Sequence, residues 1–401
     1  MTVPKLRFKE FDGGWTKSTI QFFMDNNFIL DQMDGNHGEL YPKSEEFSAT
    51  GVPYISATDF SFGDVNFATC KRLPIERAKL FKKGIAKNGD VLFAHNATVG
   101  PVAILKTDLD FVILSTTATY YRCEATYLNN HYLKNYFESD FFVQQYFGIM
   151  SQSTRNQVPI TTQRKLNIAV PNIQEQTKIA SFLSAVDEKI SQLTQKHELL
   201  SQYKQGMMQK LFSQQIRFKA DDGSEFGEWE NISVKEIFDV TRGQVLAVSN
   251  TVSVADTDYK YPVFSSQTKQ KGLMGFYKKY LFEDALTWTT DGANAGDVNF
   301  RKGKFYCTNV CGVLLSKKGY ANLCIAEILN KVTHKYVSYV GNPKLMNNVM
   351  SEIPITIPSN LEEQTKIANF LSSIDQKIEV VAQQIEQAKQ WKKGLLQQMF
   401  V

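Results

Sequence analysis

Apolar side chains recur at alternating three- and four-residue steps in two places along the 401-residue chain. The first stripe runs Ile179, Leu183, Val186, Ile190, Leu193, Leu200, Met207 and Leu211; the second runs Ile367, Leu371, Ile374, Ile378, Val381, Ile385, Ala388, Leu395 and Met399. That spacing is the a/d seam of a heptad helix. Neither stretch holds a proline, each holds one glycine (Gly206 or Gly394), and Pro171 and Pro358 stand just upstream, where a proline can end a strand. The pattern predicts long helices over 171–213 and 359–401. Matching apolar stripes in one chain most simply bury each other, with Ile179, Leu183, Val186, Ile190 and Leu193 packing toward Ile367, Leu371, Ile374, Ile378 and Val381. His197, Lys204 and Lys392 interrupt the apolar a positions. Such breaks either favour one register or snorkel to solvent.

The two stripes are copies. Glu175–Phe212 aligns with Glu363–Phe400 at a constant offset of 188, with 19 of 38 pairs identical. LNIAVPNIQEQ (166–176) is echoed by IPITIPSNLEEQ (353–364), and LRFKEFDGGW (6–15) by IRFKADDGSEFGEW (216–229). The repeating unit is therefore an RFK…W opening, a long divergent region, a proline-marked strand and a long helix.

In the divergent regions the apolar period drops to two. GVPYISATDF, GDVLFA, FVILSTTATYYRC, YPVFSSQ, DALTWTT and GVLLS read as strands between Gly, Asn and Asp turns. YLNNHYLKNYFESDFFVQQYF (127–147) reads as helix. The expected fold is α+β: globular domains at 1–170 and 214–358, each of mixed α/β structure, set apart by the helices at 171–213 and 359–401.

Composition adds little: 43% hydrophobic, 21% charged and a net charge of +4, ordinary for a globular chain. The start, MTVPKLRFKEF, is charged from its fifth residue, and no run of eighteen apolar residues occurs, so a cytoplasmic protein without a membrane span is expected. Five scattered cysteines (70, 123, 307, 311, 324) suit reduced core thiols better than a disulfide framework or a zinc site.

The chain carries no motif of self-sufficient catalytic chemistry. There is no phosphate-cradling G-x-x-x-x-G-K-[ST] loop, no G-x-G-x-x-G, no H-E-x-x-H and no paired carboxylates at acid/base spacing. Asn342-Pro343 is followed by Lys344, not by a second proline and an aromatic residue. Catalytic and metal-ligating residues are accordingly expected to be none.

Local positive charge is present instead. Residues 71–87, KRLPIERAKLFKKGIAK, hold seven Lys or Arg against one acid. Lys71, Arg72, Lys79, Lys82 and Lys83 there, with Arg242, Lys269, Lys271, Lys278, Lys279, Arg301 and Lys302 in the second domain, are candidates for phosphate contact. Nearby loops are rich in small polar residues able to read base edges. The candidates are Ser56, Thr58, Asp59, His95, Asn96 and Thr98 in the first domain, and Ser265, Ser266, Gln267, Asp291 and Asn294 in the second. Ordinary turn chemistry and a solvated surface are the plainer readings of any one of them.

The doubled EQTKIA-x-F-L-S-x-[VI]-D-x-K-I segments after a proline-marked strand, the RFK…W openings, GDVLF and Thr241-Arg242-Gly243 together resemble the specificity (S) subunit of type I restriction–modification systems, over essentially the full chain. The resemblance implies two target-recognition domains, each reading one half of a bipartite, asymmetric double-stranded DNA site. It implies long helices packed as an antiparallel coiled coil in a pseudo-twofold internal repeat, setting the spacer between the half-sites. It also implies docking of two methyltransferase (M) and two restriction (R) subunits, so that this chain is a non-catalytic member of an endonuclease complex. The chain itself would hold no cofactor; S-adenosylmethionine, ATP and magnesium would belong to the partners. The competing expectation is a coiled-coil scaffold whose side domains bind proteins or other ligands.

Overall fold

The computed structural model describes residues 3–35, 40–151, 156–266 and 269–401. Gln267 lies outside the described residues, as does the side chain of Lys269. The long helices form where the heptad pattern places them, Ile173–Phe212 with 40 residues and Leu361–Met399 with 39. At about 1.5 Å per residue each is about 60 Å long. Their starts are capped by side chains: the Asn172 Oδ1 accepts from the Glu175 amide at 2.9 Å, and the Asn360 Oδ1 from the Glu362 amide at 2.7 Å. Such bonds satisfy amides that the first turn leaves without partners.

The chain folds as two compact units, residues 1–196 with 381–401, and residues 197–380. Each unit thus holds part of both long helices. In each unit the beginning of one helix lies with the end of the other, as antiparallel packing demands. In the first unit, Ile179, Leu183, Val186 and Ile190 share one core with Leu395, Leu396, Met399 and Phe400. Trp15, Tyr132 and Tyr136 belong to the same core, and the Phe400 ring meets them edge-on or tilted at 6.5, 5.5 and 5.5 Å. In the second unit, Ile367 and Leu371 share a core with Leu211, Val234 and Leu329. The apolar stripes are therefore walled by their own globular domain as well as by a neighbouring helix. Leu193, Ile374 and Val381 are also buried, while Ile378 is half-buried.

The lysines that break the seam are paired. Lys204 Nζ donates to Asp375 Oδ2 at 2.9 Å and Glu327 Oε1 at 3.2 Å; Lys392 Nζ lies 2.6 Å from Glu138 Oε2 and 2.7 Å from Asp187 Oδ1. Asp187 and Asp375 are the aspartates of the duplicated motif, so the polar breaks carry a matched acid. Burial lifts the Asp187 pKa, but Lys134 and Lys392 outweigh it and hold the carboxyl below its usual range. Burial likewise lowers Lys204, and the bond to Asp375 with the field of Glu327 raises it on balance.

The opening segment of each repeat is pinned to its helix start. The strand Thr16–Thr19 pairs antiparallel with Asn167–Val170, the strand just before the first long helix. Glu230–Ser233 pairs in the same way with Pro354–Ile357 before the second. Each unit is closed by joining its first strand to its last.

Between those ends the first unit holds two four-stranded sheets. One orders Ile29–Asp34, Ala118–Cys123, Val91–Asn96 and Thr98–Ile104, all antiparallel. The other orders Lys71–Leu73, Val52–Ile55, Val112–Leu114 and Ile85–Ala86, with Val52–Ile55 parallel to Val112–Leu114. The run FVILSTTATYYRC is thus two strands of different sheets, broken at Ser115–Thr117, where the two hydroxyls bond each other at 2.7 Å. The helical stretch divides at Ser139 into Asn130–Glu138 and Asp140–Met150. The second unit builds one six-stranded sheet, ordered Asp239–Arg242, Cys311–Leu315, Phe282–Thr289, Val298–Cys307, Tyr261–Phe264 and Leu273–Tyr277. Its single parallel pair is Tyr261–Phe264 with Val298–Cys307. Cys307, Cys311 and Cys324 are buried, whereas Cys70 and Cys123 are only half-buried. Among the described residues no helix is long and apolar enough to cross a membrane.

Candidate nucleic-acid interface

Both units bring two polar loops together over one short turn, although their intervening sequences differ. In the first unit the turn is Ser115–Thr117, which follows the strand running parallel to Val52–Ile55. Ser115 N donates to Ile55 O at 2.7 Å, so the loop that begins at Ser56 leaves the sheet beside it. Thr117 then holds both loops: its Oγ1 accepts from Ala57 N at 2.9 Å, and its carbonyl accepts from His95 N at 2.9 Å. In the second unit the turn is Thr308–Val310. Thr308 N donates to Phe264 O at 2.9 Å and its Oγ1 bonds the Ser265 Oγ at 3.0 Å. Val310 O accepts from Thr290 N at 3.1 Å and from Thr290 Oγ1 at 2.9 Å. The Ser56 and Ser265 loops are therefore structural counterparts, as are the His95 and Asp291 loops. Thr117 and Thr308, which make these joints, carry no motif that would mark them in sequence.

Within the first unit, Asp59 is 5% exposed and spent inside its loop. Its carboxylate accepts from Ser56 N and Ser56 Oγ at 2.8 Å each and from Thr69 Oγ1 at 2.8 Å. It shapes the loop and leaves Thr58 exposed, its hydroxyl 2.8 Å from the Ser56 Oγ. His95 is also 5% exposed. Asn96 is half-buried at the end of its strand, and Thr98 is exposed past a left-handed Ala97 with φ of 64°. The outward face of this site consists of Thr58, Asn96 and Thr98 with the half-buried Ser56 beside Thr58, while Asp59 and His95 are buried.

In the second unit Ser265 and Ser266 are half-buried. Asp291 is half-buried, accepts from Thr290 Oγ1 at 2.8 Å and lies 3.7 Å from Lys344 Nζ. Asn294 is half-buried in the turn between Gly292 (φ 100°) and Gly296 (φ 97°). At Gly296 an added Cβ would press on Val337 Cγ2 at 3.0 Å, so this glycine serves both the backbone conformation and the close approach.

The basic candidates divide by exposure. Lys71, Lys79, Lys82, Lys83, Arg242, Lys271, Lys278, Lys279 and Lys302 are exposed. Lys71 sits over the Phe47 ring at 4.8 Å, on the strand paired with Val52–Ile55, which leads into the Ser56 loop. Arg72 is half-buried and donates to Gly51 O at 3.2 Å; Lys79 pairs with Glu76 at 3.3 Å; Lys278 lies over the Tyr259 ring at 4.8 Å. Arg301 departs from the surface cluster: it is 9% exposed, points inward from its strand and stacks on Phe264 at 3.7 Å. Exposed cations flanking polar loops make a surface suited to phosphate and base edges together.

A family model described as the type I restriction modification DNA specificity domain matches residues 31–202 and again 227–390. A Mycoplasma pneumoniae protein assigned as a type I specificity subunit is 36% identical over 162 residues, which is 39% of this chain and 43% of that one. This match spans less than half of that relative's length. A Methanocaldococcus jannaschii protein assigned as the specificity subunit of the type I restriction enzyme MjaX is 26% identical over 337 residues, 77% of this chain and 76% of its own. In fold, the chain is similar to a crystal structure of the type I restriction–modification S subunit from M. genitalium, with a TM-score of 0.65 at 17% identity, covering 100% of this chain and 99% of that one. With the model matched twice, over most of its length and once in each repeat, the chain belongs to the family of type I restriction–modification DNA specificity domain proteins.

Proposed function

We propose that this chain reads DNA sequence for a type I restriction–modification complex. Each domain takes one half of a bipartite, asymmetric site in double-stranded DNA. The observation that carries the reading is the shared construction of the two sites: in both units, two polar loops converge on one turn beside exposed lysines. A common frame with divergent loop residues allows two different half-words to be read by one architecture. Ser56, Thr58, Asn96 and Thr98 are the base-reading candidates of the first domain, and Ser265, Ser266, Asp291 and Asn294 those of the second. The exposed lysines and Arg242 contact phosphate.

The long helices set the spacer between half-sites and dock two methyltransferase subunits, with two restriction subunits completing the complex. Exposed aromatics at equivalent positions support docking of identical partners: Tyr203 is 51% exposed and Trp391, 188 residues later, is 56% exposed. An exposed aromatic of this size is a common anchor of protein interfaces. The chain is non-catalytic; S-adenosylmethionine, ATP and magnesium serve the partner subunits.

A gel shift with the chain and its methyltransferase partner tests the reading. Sequence-specific duplex binding that weakens steeply with rising salt is the expected result. A chain that binds its protein partner but no duplex at low salt would instead be a scaffold.

A further inference from the structure

Among the described residues Arg301 is the one basic candidate that is buried rather than displayed, and its surroundings form a pocket. The cavity, of about 190 Å³, is lined by Arg301, Lys271, Thr287, Asn294, Asp297 and Asn299 among others. The guanidinium is held from two sides: Nε donates to Thr287 Oγ1 at 3.0 Å and Nη2 to Lys271 O at 2.6 Å, while Phe264 covers one face. Arginine has five N–H donors. Two are used in these bonds, and among the described residues the other three meet no acceptor. Among the described residues no carboxylate forms an ion pair with Arg301, and burial pushes its pKa down to about 10. The turn at Gln270 and Lys271, both left-handed (φ 50° and 52°), takes one bond from Arg301, at Lys271 O. A buried cation without an acid is costly unless something of opposite charge completes it.

We propose that the Arg301 pocket seats one phosphate-type oxyanion, supplied by the DNA backbone, and so fixes the register of the second domain on the duplex. A recessed guanidinium cannot follow a base edge into a groove, but a phosphate projects from the duplex and can enter a pocket. The free donors of Arg301 suit two phosphate oxygens at once, and Lys271, exposed at the rim, adds a second positive charge. Asp297 is the opposing charge of the lining, and it faces His334 Nε2 at 3.3 Å. Two cations against one acid leave the pocket net positive. The assignment to DNA rests on the function proposed above; the affinity for an oxyanion does not.

Two variants and two readouts test this. Arg301→Gln removes the cation; Asn299→Asp keeps every Arg301 bond and places a carboxylate in the lining with almost no change of shape. In the first readout, thermal unfolding of the full chain is compared in inorganic phosphate and in chloride at equal ionic strength. Phosphate should raise the wild-type midpoint by more than it raises that of either variant. In the second, duplex binding by the chain with its methyltransferase partner is followed against salt. Each variant should bind every duplex more weakly by a similar factor, and the slope of log affinity against log salt should shrink by about 0.9, the value of one phosphate contact. Equal phosphate responses in wild type and Asn299→Asp would overturn the pocket, even if Arg301→Gln does not fold. A phosphate response with unchanged salt slopes would mean a site for free anion and overturn the backbone assignment. Loss confined to duplexes bearing one second half-word would mean base reading and overturn it too. Wild-type failure to bind duplex would remove the DNA reading and this assignment together.

Discussion

The Arg7 guanidinium and the Glu175 carboxylate, 168 residues apart in sequence, meet as a two-point fork, with Nε to Oε1 at 2.7 Å and Nη2 to Oε2 at 2.8 Å. Arg7 Nη2 also donates to Gly13 O at 2.6 Å, and Trp15 Nε1 reaches Glu175 Oε1 at 3.3 Å. The second repeat builds the same knot: Arg217 Nε and Nη2 donate to Glu363 at 3.0 and 2.9 Å, Nη2 to Gly227 O at 2.6 Å, and Trp229 Nε1 to Glu363 at 3.3 Å. The RFK…W opening and the first residue of EQTKIA are therefore two halves of one joint. The next residue completes it. Gln176 Nε2 donates to Pro171 O at 2.8 Å and its Oε1 accepts from Asn129 N at 2.9 Å, while Gln364 bonds Pro358 O and Asn322.

Glu175 and Glu363 are buried, so losing the arginine partner strands a charge. Glu175→Ala or Arg7→Ala should each cost about 3–5 kcal/mol. The double variant should cost much less than the sum, because the second deletion removes the stranded partner. Urea unfolding of the four species measures the coupling; additive losses would refute the joint.

Asp187 gives the first unit an acid-side dependence. Its folded pKa is depressed by Lys134 and Lys392, so its contribution is full above the ordinary carboxylate range and is lost as pH falls through the lowered folded value. Lys134 is 4% exposed; burial lowers its pKa, but Glu138 and Asp187 raise it on balance. Its contribution is full below the ordinary lysine value and is lost as pH rises through the raised one. Asp187→Asn should flatten the acid-side decline of the unfolding midpoint and weaken the alkaline one, as followed by circular dichroism across pH.

These two joints show what the sequence could and could not reveal. The heptad steps and the gapless repeat place both long helices, because a period of three and four residues has no other economical meaning. Proline-marked strands locate the unit boundaries. The pairing of Lys204 with Asp375, and of Lys392 with Asp187, is not visible in a heptad reading that treats each lysine as an interruption. Asp59 and His95 look like surface readers because small polar loops resemble one another in composition, yet the fold turns both inward. Thr117 and Thr308 are silent in the sequence because their role is set by a parallel strand pair closed over a long sequence interval. Arg301 sits in a basic stretch, and only its place in the strand separates it from its exposed neighbours.

Tyr203 and Trp391 should behave as twin docking points. Tyr203→Ala is expected to leave the unfolding free energy within about 0.5 kcal/mol of wild type, as for an exposed position; Trp391→Ala also gives up an edge-on contact with Phe182 at 6.1 Å, worth about 0.5–1.5 kcal/mol. Each should lower the affinity for one methyltransferase copy by at least about tenfold, or 1.4 kcal/mol. Native mass spectrometry should then report a complex with one copy where two are expected on the wild type. Full occupancy in the double variant would contradict the docking.

The exposed cations and the polar loops should separate cleanly in binding assays. Lys82→Gln and Lys83→Gln should weaken all duplexes alike and reduce the salt slope by about 0.9 each. Asn294→Ala should relax discrimination at one position of the second half-word by about 1–3 kcal/mol and leave the first half-word untouched. Competition binding with single-base variants of the site measures both.

The central claim is that each domain reads its own half of the target. Exchanging residues 230–357 for the matching region of another family member, followed by sequencing of methylated DNA in cells carrying the complete system, tests it most directly. The expected result is a methylated bipartite motif in which one half-word changes and the other half-word and the spacer stay the same. An unaltered motif, or one in which both half-words change, would contradict it.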